Sequence, residues 1–173
     1  MTEPEWHDER RHTPWAQPGW RAWNQHSPEV EVCSFLEDVC QIMKPLMIVE
    51  TGCGQGYVCR RLPVRTLHYE ADPEWRRRRE EDGIRCQPEP SPTFRAFRQA
   101  DLLILDSDSP WREREIVWWW QHGKAGSLCF VHDTGNGHGE HVYHTLLGNL
   151  VRATGLPGWW FPNPRGSWLG VHP

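Results

Sequence analysis

The sequence predicts an α/β domain: a mostly parallel sheet with helices on both faces and an antiparallel hairpin at its C-terminal edge. Three observations lead there. Short apolar runs without polar alternation, at 46–49, 101–105 and 128–131, read as strands covered on both faces. Segments with helical spacing or helix-start chemistry alternate with strands from residue 46 to 155, as βαβ units require. Two aromatic-rich segments, 159–161 and 168–171, flank Pro162-Asn163-Pro164-Arg165-Gly166 and suit a hairpin.

Residues 1–26 are rich in Pro, Trp and charge and show no period, so they read as an irregular arm. Trp15, Trp20 and Trp23 could fold over a pocket as a lid. Residues 27–173 read as one domain. Ser27-Pro28-Glu29 opens a helix, with Ser27 as cap and Pro28 at the first helical position. Val32, Phe35, Leu36, Val39 and Met43 follow at helical spacing, and Lys44-Pro45 stops the helix. After strand 46–49 comes a tight turn, 51–56, then a helix from 57 to 62. A short strand at 67–70 precedes a charged helix, 73–82, ended by Gly83. A weak strand at 84–87, a proline-rich loop and a short helix to about Arg98 lead to strand 101–105. Helix 110–122 carries Trp118-Trp119-Trp120. Strand 128–131, a glycine-rich loop at 135–139 and a helix from 140 to about 154 complete the alternation.

The chain has 173 residues and a formal net charge of −4. This length suits one domain with its own core. No apolar run approaches the ~20 residues of a membrane span. The acidic, polar start is unlike a secretory signal. A cytoplasmic setting with reduced thiols is therefore expected for the six Cys, which form no CxxC pair. The mild negative charge disfavours nucleic acid as a partner. Twelve Trp suit a core, an aromatic pocket or a homodimer interface. Three consecutive Trp on one helix point about 100° apart, so Trp118, Trp119 and Trp120 cannot all face inward.

In such sheets ligands sit beyond the carboxyl ends of the strands, and that is where the informative residues fall. Glu50-Thr51-Gly52-Cys53-Gly54-Gln55-Gly56 carries G-x-G-x-G, a spacing that lets backbone turn sharply and approach a ligand. It lacks both the P-loop ending and the dinucleotide spacing. Glu70, 18 residues after Gly52, stands where a carboxylate can accept from ribose hydroxyls. Arg76-Arg77-Arg78-Arg79, followed by Glu80-Glu81, reads as a solvated helix face. Asp106-Ser107-Asp108 also fits the D-x-D of sugar-nucleotide glycosyltransferases. His138, His141 and His144 are spaced by three and could share part of a helix face.

Together, Ile48-Val49-Glu50-Thr51-Gly52-Cys53-Gly54-Gln55-Gly56-Tyr57 and Tyr69-Glu70-Ala71-Asp72-Pro73 resemble the first two motifs of class I S-adenosylmethionine-dependent methyltransferases. Residues 101–108 and 126–134 resemble the fourth and fifth strand ends of the macrocin O-methyltransferase and cephalosporin-hydroxylase-like subgroup. The resemblance covers roughly residues 24–155 and implies a Rossmann-like methyltransferase fold. It implies that Glu50, Thr51, Gly52, Cys53, Gly54 and Gly56 hold the methionine part of S-adenosylmethionine. Glu70 would grip the ribose, Gln87 would meet the adenine, and Asp106 would orient the cofactor. Asp106 and Asp133 match acids that bind a divalent metal, Mg²⁺ or Mn²⁺, in metal-dependent members, and His132 stands where some relatives carry a third acid. The implied reaction is methyl transfer to a small-molecule acceptor, with a hydroxyl oxygen as first choice. Relatives often carry a His base where this chain has Ser109, so the base would have to be Asp108, His132 or His138. A catalytically silent cofactor- or partner-binding protein is the alternative on the same residues.

Overall fold

The computed structural model describes residues 20, 28–88, 94–108, 110–135 and 142–173. Among the described residues seven strands form one sheet: β1 (Ile48–Thr51), β2 (Leu67–Tyr69), β3 (Cys86–Gln87), β4 (Leu102–Leu105), β5 (Leu128–His132), β6 (Gly158–Phe161) and β7 (Ser167–Val171). Their order is β3-β2-β1-β4-β5-β7-β6. The first five are parallel, and β7 then pairs antiparallel with both β5 and β6. The expected terminal hairpin is therefore present. The strand order reverses between β1 and β4, so a crevice opens there beyond their carboxyl ends.

Alternate residues of each strand feed two cores. Ile48, Leu102, Ile104, Phe130 and Leu169 pack against α1 (Val30–Met43). Val49, Leu103, Leu105, Cys129, Val131 and Trp168 pack on the opposite face. There they meet Phe97 of α3 (Phe94–Gln99), Ile116 and Trp119 of α4 (Trp111–His122), and Leu147 and Val151 of α5 (Val142–Thr154). Burial on both faces explains why these strands lack polar alternation.

Several boundaries differ from expectation. Helix α1 starts at Val30, with Glu29 extended at its N-cap and Pro28 outside the helix. The expected role of Ser27 lies outside the described residues. Lys44 does end the helix, in a left-handed conformation (φ 47°). The expected helix 57–62 is only a 3₁₀ turn, Cys59–Arg61; Pro63 follows too closely for a longer one. Helix α2 (Pro73–Glu81) is capped by Asp72, whose side chain accepts from the N–H groups of Glu74 and Trp75. Trp119 is buried, Trp118 is half-buried and Trp120 is exposed, as the angular argument requires. Of the possible lid, Trp20 packs beside the α1 core; Trp15 and Trp23 lie outside the described residues. No helix among the described residues is long and apolar enough to cross a membrane.

Candidate active site

The turn after β1 is held by backbone. Gly52 N–H donates to the Tyr69 carbonyl (2.9 Å) and Gly56 N–H to the Cys53 carbonyl (2.8 Å). Gly52 has φ +75°, and a Cβ there would overlap the Asp106 backbone, so β1 and β4 can diverge this closely only at glycine. Gly54 has φ +43°, but a Cβ there would meet nothing within 4 Å. Its α-carbon faces open space, as a ligand cradle requires. Two arginines brace the loop from outside. Arg79 donates to the Gly54 carbonyl (3.2 Å) and Arg60 to the Gln55 carbonyl (3.1 Å).

Glu70 meets this turn directly. Its Oε2 accepts from Gly54 N–H at 2.7 Å and its Oε1 from Asp72 N–H at 2.9 Å. Burial raises its pKa, and Asp108 and Asp72 add to that, against the two N–H groups that lower it. A carboxylate has about four acceptor positions, so each oxygen keeps capacity for a further donor.

Two adjoining cavities meet here. One, of about 360 Å³, is lined by Glu50, the 52–58 turn, Asp106, Asp108, Arg112, Asp133 and Arg165, among others. The second, of about 350 Å³, is lined by Gly52, Gly54, Glu70, Asp72, Trp75, Asp106, Asp108 and Trp111. Both lie in the size range of small-ligand sites. Glu50, Gly52, Cys53, Gly54, Gly56, Glu70, Asp106 and Asp108 thus border one continuous region. Thr51 and Gln87 do not. Thr51 is fully buried and donates to Glu115 Oε2 (3.0 Å). Gln87 lines a separate cavity with Cys59 and His68.

The far wall is ionic. Arg112, on α4, pairs with Asp106 (3.0 Å) and Asp133 (3.1 Å) and also donates to the carbonyls of Ser107 and His132. Arg165, from the hairpin turn, pairs with Asp133 at 2.8 Å. His132 Nε2 lies 2.9 Å from Glu29 Oε2, and its Nδ1 lies 3.3 Å from both Asp106 and Asp133. Glu29 also accepts from Arg165 N–H (3.2 Å). Burial opposes charge on His132, but Asp133 and Asp106 outweigh it and the opposing Arg165, pushing its pKa up to about 9. Burial likewise opposes charge on Asp133, yet Arg165, His132 and Arg112 hold it far below the usual carboxylate range. For Glu29, burial raises the pKa, while the His132 hydrogen bond and charge leave it lowered. His144 stands 3.8 Å from Asp133. His138, His141 and Ser109 lie outside the described residues.

Asp106, His132 and Asp133 do come together: each offers a ligand atom within 4.8 Å of the others. Their charges are already balanced, since Glu29, Asp106 and Asp133 face Arg112, Arg165 and protonated His132. A divalent cation placed there would sit against two guanidinium groups. Neither arginine is marked by the sequence as a partner of Asp133, which lies 21 residues after Arg112 and 32 before Arg165. The short step from Asp106 to Arg112, at the start of α4, is the available signal for the first.

The sequence matches no family model and no curated protein. Solved structures are similar in fold. The SAH-bound methyltransferase of Podospora anserina shares 13% identity, with 86% of this chain and 80% of that one covered (TM-score 0.62). The O-methyltransferase of Bacillus cereus, in complex with SAH, shares 14% identity, with 87% and 84% covered (TM-score 0.63). The O-methyltransferase TomG of Streptomyces achromogenes, in complex with SAM, shares 14%, with 86% and 83% covered (TM-score 0.52). The chain has the methyltransferase fold. At these identities the likeness establishes the fold alone; the activity has to be argued from the site.

Proposed function

We propose that this protein transfers a methyl group from S-adenosylmethionine to a small-molecule acceptor, at a hydroxyl oxygen. The observation that carries the reading is Glu70 seated on the Gly54 amide at 2.7 Å, beside open cavities at the strand-order reversal. The free acceptor positions of Glu70 suit a ribose diol. Trp75 and Trp111 line the same cavity and offer the flat apolar faces that adenine needs, in place of Gln87. The Gly52–Gly56 turn and Asp106 would take the methionine end.

Bound S-adenosylmethionine supplies a methyl group on an activated sulfonium. The protein's work is alignment, exclusion of water and reception of the acceptor's proton. Asp108 is exposed at the rim shared by both cavities and is the proposed proton acceptor. His132, with its pKa near 9 and its ring nitrogens facing carboxylates, is a charged strut at neutral pH and not a base. Arg112 and Arg165 stand in for a divalent ion by neutralising Asp106 and Asp133. The metal-assisted reading keeps one point in its favour, the 4.8 Å grouping of Asp106, His132 and Asp133. It predicts a rate that Mn²⁺ raises and chelator abolishes.

Isothermal titration with S-adenosylhomocysteine tests the cofactor claim, with saturable 1:1 binding expected. No heat at millimolar ligand overturns it. Binding without turnover across a panel of hydroxyl compounds would instead indicate the silent alternative.

A further inference from the structure

We propose that Glu50, Cys53, His68 and Cys86 form a Zn²⁺ site directly behind the glycine turn. The sheet itself makes the case. Cys86, His68, Glu50, Ile104, Phe130 and Leu169 are register partners across six neighbouring strand positions, so they form one row. The right half of that row is apolar and packs under α1. The left half is a thiol, an imidazole and a carboxylate, all buried. Cys53 closes over them from the turn, and Cys59 from the 3₁₀ turn that follows. Three free cysteines from three segments thus share one buried cluster.

The spacing fits the ion. Glu50 Oε2, Cys53 Sγ and a His68 ring nitrogen all lie within 4.8 Å of one another. A tetrahedral Zn²⁺ with sulfur at ~2.3 Å and oxygen at ~2.0 Å sets those two atoms about 3.5 Å apart. The Cys53–Glu50 separation is 3.5 Å. Glu50 Oε2 and His68 Nδ1 are 2.6 Å apart, sharing a proton; replacing that proton by the ion needs an opening of only about 0.7 Å. Cys86 packs in one buried cluster with Cys53 and stands beside His68 in the row, which places it to complete the three-residue group as the fourth ligand. Cys59 packs in the same cluster and would orient the Cys53 thiolate from outside. Cys59 and His68 line a cavity of about 540 Å³, a route of entry separate from the cofactor cavity, which Glu50 and Cys53 border. Two thiols and an imidazole select Zn²⁺ over Mg²⁺. The ion would tie the loop after β1 to β2 and β3, giving the glycine turn a rigid floor.

Cobalt substitution tests this without any methyl donor. Protein purified with chelator and reductant is titrated with Co²⁺. One equivalent should bind with a thiolate-to-cobalt charge-transfer band and tetrahedral visible bands, and Zn²⁺ should displace it. Cys53→Ser and Cys86→Ser should each diminish the thiolate band. His68→Gln should weaken binding at least ~10-fold, and Cys40→Ala, in the α1 core, should change neither. A folded protein with no thiolate band overturns the proposal. So does a band that survives both serine variants, or a sulfur-free cobalt spectrum lost in Asp133→Asn. If Cys53→Ser fails to fold, Cys86→Ser and His68→Gln carry the same decision. S-adenosylhomocysteine titrated into the same sample tests the methyltransferase reading separately.

Discussion

Two walls of the same cavity differ in what holds them. On the Glu70 side, the bonds are to backbone and come from near in the chain: Asp72 is two residues away and Gly54 sixteen. On the Asp133 side, the bonds join side chains from distant segments. Arg112 and Asp133 are 21 positions apart, Asp133 and Arg165 are 32 apart, and Glu29 and His132 are 103 apart. The first wall leaves short donor and acceptor groups facing the cavity. The second spends most of its charge on itself. A shared crevice therefore has one face built to receive a ligand and one built to be stable around it.

Substitutions that separate the two walls give the sharpest tests. Arg112→Met should have the largest effect. It leaves Asp106 and Asp133 short of a partner in a buried setting, at a cost of about 3–5 kcal/mol, read as a lower urea midpoint. A near-wild-type midpoint would mean that the ionic wall contributes specificity and not stability.

The pH dependence comes next. The pKa of His132 rises from an ordinary value near 6.5 to about 9 on folding. The folded state therefore holds a proton that the unfolded state releases. Its stabilisation is complete below about pH 6.5 and is lost as pH climbs through 9, on the order of 3 kcal/mol. Urea unfolding at pH 6, 7.5 and 9 should show that decline, and His132→Gln should flatten it. A slope unchanged in the variant assigns the titration elsewhere.

Glu70→Gln tests the opposite wall. It should weaken S-adenosylhomocysteine binding about tenfold or more, since a charge-assisted hydrogen bond contributes roughly 1.5–3 kcal/mol. Equal weakening by Arg112→Met would erase the distinction between the walls. Arg77→Ala should do least. Arg77 pairs with Glu74 and Glu81 on the exposed face of α2, and its loss should leave both the unfolding midpoint and ligand affinity as in the wild type.

The arginine run shows where sequence reading reached its limit. Arg77 and Arg78 form the solvated, ion-paired face expected of them. Arg79, one residue on, is buried, pairs with Asp82 and braces the Gly54 carbonyl. Arg76 donates to the carbonyls of Glu70 and Ala71. Helix α2 has no apolar stripe, so nothing in its pattern marks which arginines turn inward. Glu29, in the segment that opens the first helix, serves His132 and Arg165 across the fold. The three cysteines of the buried cluster sit on separate segments and form no spacing motif.

By itself the sequence determined the strand-and-helix alternation, the glycine turn, the acid after β2 and the terminal hairpin, because each rests on neighbours within a few residues or on burial of whole strands. Tertiary structure decided which cations meet Asp106 and Asp133, which arginine is buried and which thiols gather behind the turn. Those outcomes depend on side chains brought together by strand register and loop path, and charge or sulfur carries no periodic mark in the chain to announce its partner.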